Sequence, residues 1–477
     1  MLFNSIQFVL FLPIVVILYY LLKPNYRWIL LLIASYYFYM CWNPAYIVLI
    51  IASTLIDYYA GLQIGKSNKE NVKRFFLFIS LFSNLGLLFF FKYYNFISES
   101  FNSIFHKYNI FYDIPYLNIL LPVGISFYTF QTLSYTIDVY RGVKSPEKHL
   151  GIFAVYVSFF PQLVAGPIER STRFIPQLHK SNSFKYENIS KGIKLILWGY
   201  FLKLVIADRA AIYVNAVYNN VHHHSGLTFI AATIMFAFQI YGDFAGYSSI
   251  AIGAAKIMGY DLMTNFNRPY FAQSVREFWQ RWHISLSSWF RDYLYIPLGG
   301  NRVVKWRWYY NLFITFVISG LWHGANWTFV IWGALHGLYL VLSILLSTGL
   351  FNKLSINPQS IIYKIITILI TNALVLFAWI FFRANTVSDA FFIVNKIFTS
   401  TGKIFIPEGP GVVAPVYATF SILLLYSMEF KEEFFKNRFS LFENKKQNVR
   451  LIMYGLLVAT IVYLGVFDGG QFIYFQF

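Results

Sequence analysis

Two histidines lie close together in one apolar stretch of this sequence. His323 and His336 belong to SGLWHGANWTFVIWGALHG, within residues 312–346, which are otherwise mostly apolar. Imidazole is poorly matched to hydrocarbon, so a histidine at membrane depth marks a candidate functional site. The alternative is a histidine that only joins two helices through a hydrogen bond. Because neutral imidazole removes a hydroxyl proton around neutral pH, the chemistry predicted here is general base catalysis.

The neighbours of His323 favour a polar cavity over a lipid-facing surface. They are Trp322, Gly324, Asn326 and Trp327. Small residues allow close approach of the backbone, while indole and amide groups supply hydrogen-bond donors in otherwise apolar surroundings. This composition favours a functional role for His323.

A second polar cluster lies in another apolar segment, FQIYGDFAGYSS. Its polar residues are Gln239, Tyr241, Asp243, Tyr247 and Ser248. An aspartate inside a membrane span costs about 2.5 to 3.5 kcal/mol on insertion scales unless it faces the protein interior and has a partner. We therefore expect Asp243 to face inward, where it either tunes a histidine or pairs with Arg209. Structural pairing and catalytic support both stay open.

Residues 259–310 form the most informative polar stretch, because they mix aromatic and charged side chains. Arg291 and Asp292 follow a run rich in Trp, Phe and Arg that is too charged to cross hydrocarbon. Such a mixture is typical of short amphipathic helices that lie in the interface or line a cytoplasmic vestibule, and a plain interfacial anchor is the alternative. His283 and Ser285, in the run HISLS, are hard to explain by anchoring alone.

Composition defines the class of protein. Of 477 residues, 58% are apolar and only 12% are charged, whereas soluble domains carry about a quarter charged residues. We predict an all-α polytopic membrane protein with about 10 to 13 membrane helices, each needing roughly 20 residues to cross the bilayer. The stretches near 27–42, 150–165 and 310–321 are short enough to be half-spans or re-entrant helices. We expect a single membrane domain over residues 1–477, with no appended soluble domain.

Basic residues dominate the short loops, and the formal net charge is +18. Lys and Arg mark the cytoplasmic loops of multi-pass proteins, so we interpret these loops mainly as topology signals, although a basic rim also attracts anionic substrates. No nucleic-acid motif accompanies them, and nucleic-acid binding is not expected. The single cysteine, Cys41, excludes an intramolecular disulfide. The run of histidines at 222–224 lies in a polar hairpin, and we assign no metal site to it.

Five long sequence motifs resemble those of the membrane-bound O-acyltransferase (MBOAT) family. They are LPVGISFYTFQTLSYTIDVYRG, FFPQLVAGPIERSTRFIPQL, FAFQIYGDFAGYSSIAIG, FWQRWHISLSSWFRDYLYIPLGGNR and SGLWHGANWTFVIWGALHG. The resemblance runs in the same order along the whole chain. Within the family, the motifs are most similar to those of the branch that acetylates alginate and peptidoglycan. They do not identify the acceptor polymer.

The resemblance implies a fold, a reaction and site residues. It implies a ring of tilted and re-entrant helices around a central funnel, with His323 as the catalytic histidine and His283 as the second histidine, which either orients the donor or assists the base. Trp322 and Asn326 are both candidates to stabilise the oxyanion. No cofactor is expected to stay bound.

The resemblance also implies substrates, partners and a location. The expected donor is cytoplasmic acetyl-CoA, and the expected acceptor is an extracytoplasmic polysaccharide. The expected helper is an extracytoplasmic SGNH-type acetyltransferase or esterase. The protein is expected to lie in the inner or plasma membrane as a multi-pass protein, in contact with the lipid bilayer.

The C-terminal residues FIYFQF carry a further hypothesis. They resemble the C-terminal motif of a small helper protein in the related D-alanyl transfer system. Tyr474 is therefore a candidate acyl relay, because a phenol ester has a better leaving group than an alkyl ester. The alternative for this segment is an aromatic end at the membrane interface.

Two other functions stay open from the sequence. The first is transfer of D-alanine from a carrier-protein thioester to teichoic acid. The second belongs to another class of protein, a polytopic transporter or flippase, which would need paired broken helices that the sequence does not show clearly.

Overall fold

The computed structural model describes residues 1–110, 112–164, 166–349, 360–435 and 446–467. Over these ranges every regular element is a helix, so the predicted all-α class is confirmed. The α-helices are α1 (Ile6–Leu21), α2 (Arg27–Met40), α3 (Ile47–Lys66), α4 (Glu70–Leu88), α5 (Tyr94–Lys107), α6 (Ile125–Tyr140), α7 (Leu150–Ser158), α8 (Phe160–Leu163), α9 (Ser171–Leu178), α10 (Tyr186–Tyr200), α11 (Asp208–Tyr218), α12 (Gly226–Ile257), α13 (Val275–Arg281), α14 (Ile284–Phe290), α15 (Lys305–His323), α16 (Trp327–Gly349), α17 (Ile361–Arg383), α18 (Val387–Thr399), α19 (Val413–Phe434) and α20 (Gln447–Leu464). Three π-helical segments, Phe89–Tyr93, Phe201–Ala207 and Arg291–Tyr295, follow α4, α10 and α14.

Seven of the described helices are long and apolar enough to cross a membrane. They are Pro44–Lys66, Glu70–Lys107, Gly226–Ile257, Trp327–Leu346, Ile361–Arg383, Val413–Phe434 and Gln447–Leu464. The apolar helix α1 is shorter, at 16 residues, and α2 has only 14. A multi-pass membrane protein is therefore confirmed, and several of the predicted spans are shorter helices.

One expected half-span is part of a longer helix. Residues 310–321 form the C-terminal part of α15, which has 19 residues and begins at Lys305. The first turn of this helix contains charged and aromatic residues, which an apolar pattern does not detect. The stretch 150–165, in contrast, is broken at Phe159 into α7 and the single turn α8.

The described residues cluster into two compact units. The first contains Met1–Ile196 and Ile250–Met263, and the second contains Leu197–Ser249 and the described part of Thr264–Phe477. The second unit carries both predicted catalytic histidines. Its largest fully buried side chains include Trp282, Trp332 and Trp379, which pack with aliphatic side chains in its core.

A buried carboxyl group organises the interior of the first unit. Asp57 on α3 accepts hydrogen bonds from Asn84 on α4, at 2.8 Å, and from Thr136 on α6, at 3.1 Å. Ser80 donates to the same carboxyl. Hydrogen bonds of this kind join helices where the surroundings offer no water. Three helices are therefore fixed around one side chain.

The α15–α16 hairpin of the second unit is held by glycines. A Cβ atom on Gly320 would lie 2.2 Å from the carbonyl oxygen of Phe329, and one on Gly333 would lie 2.3 Å from that of Phe316. Only glycine fits at such distances, so the two helix backbones approach closely. This contact fixes the end of α15, where His323 lies.

Candidate active site

His323 is the last residue of α15, at a break between two helices. The next residue, Gly324, has extended backbone angles, and a Cβ atom there would lie 2.1 Å from the Phe329 ring. Residues 324–326 form the turn before α16 begins at Trp327. The apolar stretch 312–346 is therefore a helical hairpin, and His323 is buried, with 2% of its surface exposed, at the point where the hairpin breaks.

The structure brings His283 and His323 together. Their ring centroids are 6.5 Å apart, and the ring of Trp322 lies 5.0 Å from His323 and 6.3 Å from His283. Trp332 and Phe382 contact other sides of the His323 ring, at 5.0 and 5.6 Å. The two imidazoles thus lie near each other, buried among aromatic rings, where electrostatic interactions are stronger than in water.

His283 has a strained backbone. Its φ of 42° lies in the left-handed region, which residues with a Cβ atom rarely adopt, and it precedes α14 as the N-cap residue. The side chain is fully buried. Strain of this kind costs about 1 to 3 kcal/mol and persists where the surrounding structure enforces it, as at many functional sites. The predicted second histidine is therefore held in an unusual conformation.

Asn265 is a site residue that the sequence analysis missed. Its Oδ1 lies 3.1 Å from His283 Nδ1 and accepts a hydrogen bond from Ser285 Oγ at 2.9 Å. Its backbone carbonyl accepts from the Ile284 N–H at 2.9 Å. Ser285, which the sequence singled out, thus bonds to the same asparagine oxygen as His283 does. Asn265 lies in an irregular loop, where residue spacing gives no signal of a contact.

Asp243 is paired with Lys203, and the predicted pairing with Arg209 is wrong. Lys203 Nζ lies 2.7 Å from an Asp243 oxygen and 2.8 Å from an Asp208 oxygen, and all three side chains are buried. Lys203 lies in the π-helical segment between α10 and α11, and such segments are frequent at functional sites. Arg209 instead donates to the carbonyl oxygen of Leu464 at 2.6 Å.

Tyr241 does not form one cluster with Asp243. The hydroxyl of Tyr241 donates to the carboxylate of Glu429 on α19, a buried residue that the sequence analysis did not single out. Gln239 is buried, and its Oε1 has no hydrogen-bond partner among the described residues. Tyr241 lies two residues from both Gln239 and Asp243 and faces a different direction, whereas Gln239 and Asp243, four residues apart, lie on the same side of α12.

The remaining predicted residues have partners of their own. Asn326 caps α16: its Oδ1 accepts from the Thr328 N–H at 3.0 Å, and its Nδ2 donates to the Asn385 carbonyl at 3.3 Å. Arg291 and Asp292 form an ion pair with each other at 2.8 Å, with 63% and 33% of their side chains exposed. None of these contacts joins them to the histidine pair.

The segment 259–310 contributes to the core of the second unit. Phe278, Trp279 and Trp282, on and beside α13, are buried. The Trp279 indole donates to His336 Nδ1 at 3.2 Å. His336 therefore joins α13 and α16 through a hydrogen bond, which is the alternative role that the sequence predicted for a histidine in an apolar span. Tyr474, the predicted acyl relay, lies outside the described residues.

These features define a polytopic helical membrane protein with two histidines buried side by side. The sequence profile of the membrane-bound O-acyltransferase (MBOAT) family matches residues 30–387, and the chain belongs to this family. It is therefore an O-acyltransferase of the membrane, which confirms the predicted enzyme class.

The relatives include acetyltransferases of two polymers. The chain is 39% identical over 402 residues to the probable alginate O-acetylase AlgI of Pseudomonas aeruginosa, covering 84% of this chain and 75% of that protein. It is 36% identical over 425 residues to the peptidoglycan O-acetyltransferase of Helicobacter pylori, covering 82% and 78%. To the teichoic acid D-alanyltransferase of Bacillus subtilis it is 29% identical over 240 residues, covering 47% and 60%.

Proposed function

We propose that this enzyme transfers an acetyl group from cytoplasmic acetyl-CoA to a hydroxyl group of an extracytoplasmic polysaccharide. The observation that carries the proposal is the buried pair of His283 and His323, with ring centroids 6.5 Å apart among aromatic rings. The names of the relatives support acetyl transfer to alginate or peptidoglycan. The similarity to a D-alanyltransferase is lower and covers about half of this chain, so D-alanyl transfer is less well supported.

The proposed reaction uses His323 as a general base. Neutral imidazole removes the proton of the acceptor hydroxyl while its oxygen attacks the thioester carbonyl. The C–S bond then breaks, and the proton passes from His323 to the departing thiolate of coenzyme A. With this step the ring returns to its neutral form and is ready to accept a proton in the next cycle.

The contacts around the two histidines favour Trp322 over Asn326 as the hydrogen-bond donor to the oxyanion. The Asn326 amide donates to the Asn385 carbonyl at 3.3 Å and caps α16. The Trp322 ring lies 5.0 Å from His323 and contacts both imidazoles. An indole N–H is a donor only, so Trp322 matches the need for a donor close to the base.

Delivery to the polymer is proposed to involve a relay and a partner. In this proposal Tyr474 accepts the acetyl group first, as a phenol ester, and an extracytoplasmic SGNH-type transferase then collects it. The cytoplasmic and outer funnels, like the ring of helices around them, stay predictions from the resemblance. The enzyme is proposed to act in the inner or plasma membrane.

The test uses labelled acetyl-CoA and the purified protein in lipid nanodiscs. The wild type should consume the thioester and form an acylated product, and His323→Ala should lower this rate by at least about 100-fold, the lower range for loss of a general base. His336→Gln is the matched control, because His336 is an equally buried histidine in the same hairpin. If the wild type uses only a D-alanyl carrier-protein thioester, acetyl transfer is the wrong reaction. Mass spectrometry of surface glycans after gene deletion should show the acceptor by its loss of acetyl groups.

A further inference from the structure

We propose that Asn265 is a positioning residue that holds His283 as the Nδ1–H tautomer, so that Nε2 carries the lone pair. The tautomer follows from hydrogen-bond geometry alone. Its meaning for catalysis rests on the proposed function.

The orientation of the Asn265 amide follows from one backbone donor. The Ser285 backbone N–H meets the Asn265 side chain at 3.2 Å, on the atom assigned as Oδ1. A backbone N–H only donates, so this atom is the carbonyl oxygen, because a flipped amide would set two donors against each other. The other atom of the amide, Nδ2, donates to Ser248 Oγ at 3.1 Å. A hydroxyl oxygen can accept this hydrogen bond, so the contact agrees with the same orientation.

The fixed oxygen decides which nitrogen of His283 carries hydrogen. Nδ1 lies 3.1 Å from Asn265 Oδ1, which has no hydrogen to give. The Ser285 hydroxyl donates to the same Oδ1 at 2.9 Å, and its Oγ, 3.4 Å from Nδ1, therefore turns a lone pair toward the ring. Nδ1 thus faces two acceptors. The Nδ1–H form is the arrangement without repulsion, and the neutral ring then has no hydrogen on Nε2.

Asn265 contacts the backbone of the same segment as well as the ring. The Ile284 N–H donates to its carbonyl oxygen at 2.9 Å, next to the left-handed φ of His283. The Phe244 ring meets the His283 ring edge to face, with centroids 4.4 Å apart. A strained residue keeps its conformation where its surroundings enforce it. These contacts restrict both the position of the ring and its rotation.

The tautomer assigns a chemical role to His283. A lone pair on Nε2 accepts a hydrogen bond or a proton from the acceptor hydroxyl or from an N–H of His323, whose ring centroid is 6.5 Å away. The neutral ring does not donate from Nε2, so His283 belongs to the proton-accepting side of the reaction. Oxyanion stabilisation then falls to donors such as the indole of Trp322.

Nitrogen NMR reads the tautomer without any assay of activity. The protein is labelled with ¹⁵N-histidine in lipid, and the spectrum of His283→Gln is subtracted from that of the wild type to isolate the His283 signals. We expect Nδ1 to appear protonated and Nε2 unprotonated at neutral pH. A protonated Nε2 beside an unprotonated Nδ1 overturns the proposal.

Kinetics tests the positioning role. Asn265→Leu removes the oxygen and should lower kcat about 10- to 100-fold, the range for residues that orient a functional ligand, with little change in KM for the thioester. Asn265→Asp keeps an oxygen acceptor and should restore kcat to within a few-fold of wild type. The matched control is Asn84→Leu, which removes an equally buried asparagine from the first unit and should lower stability but not kcat per folded molecule.

The outcomes separate this proposal from the proposed function. A folded Asn265→Leu variant with wild-type kcat overturns the positioning role. If Asn265→Leu does not fold, the NMR measurement on the wild type still decides the tautomer. If the wild type transfers no acetyl group while His283 shows the Nδ1–H form, the proposed function fails and the tautomer assignment stands.

Discussion

The imidazole of His323 meets the indole of Trp332 edge to face, with ring centroids 5.0 Å apart and an angle of 88° between the planes. The same indole stacks on Trp379, with centroids 5.8 Å apart and planes 19° from parallel. Both tryptophans are fully buried. The orientation of the proposed base therefore depends on the packing of two large side chains from α16 and α17.

Replacing Trp332 by alanine should affect stability and catalysis together. Truncating a buried tryptophan costs about 3 to 5 kcal/mol of unfolding free energy because a cavity remains. The substitution also leaves the His323 ring without a fixed orientation, and this should lower kcat at least tenfold. Thermal unfolding and the labelled acetyl-CoA assay measure these effects. The control is Trp306→Ala, since Trp306 is 69% exposed. A Trp332→Ala enzyme with normal kcat would show that this packing does not orient the base.

Replacing Lys203 by methionine should destabilise the second unit. The substitution leaves the buried carboxylates of Asp208 and Asp243 facing each other without their cation. Breaking a buried ion pair from one side costs about 3 to 5 kcal/mol. Thermal unfolding in detergent measures the loss. The triple variant Lys203→Met, Asp208→Asn, Asp243→Asn should recover most of the stability, because no uncompensated charge is left. Wild-type stability in Lys203→Met alone would contradict this account.

Stability should depend on pH through Glu169. Burial raises the pKa of the Glu169 carboxyl to about 7. Two neighbours act in the opposite direction and lower this pKa: Arg173, whose Nη1 lies 3.1 Å from the carboxyl, and the Met263 N–H, which donates to it. Between the ordinary pKa of 4.5 and about 7, the unfolded chain loses this proton while the folded protein keeps it. Stability therefore falls as pH rises through this window, by on the order of 3 kcal/mol, and then levels off.

Glu169→Gln isolates this contribution. The amide keeps an oxygen for the Met263 N–H but does not titrate. Melting temperatures recorded from pH 4.5 to 8 should decline less with pH in the variant than in the wild type. Parallel curves for the two proteins would show that the Glu169 carboxyl does not retain its proton on folding.

Replacing Tyr474 by phenylalanine should abolish the proposed acyl relay. The variant lacks only the phenol oxygen, so folding should be unchanged. With labelled acetyl-CoA, intact-protein mass spectrometry should detect one added acetyl group on the wild type and none on Tyr474→Phe. Transfer to the polysaccharide should fall at least tenfold. An equally acetylated variant would place the covalent acceptor elsewhere.

The sequence predicted the elements of this protein better than their contacts. Apolar runs of sufficient length identified the membrane helices, because a bilayer demands about 20 such residues whatever the neighbours are. The start of α15 was missed, because its first turn contains charged residues, which a search for apolar runs does not detect. Phe278, Trp279 and Trp282 suggested an interfacial segment by composition, yet they are buried in the core of the second unit.

Within the candidate site, the sequence by itself determined which side chains are costly to bury. His323, His283 and Asp243 stand out because polar groups in apolar surroundings need partners. Only the tertiary structure decided who those partners are: Lys203 for Asp243, and Asn265 for His283. The physical reason is that hydrogen bonds and ion pairs act over about 3 Å. Which residues come within that distance depends on how helices and loops pack, and residue spacing along the chain does not encode it.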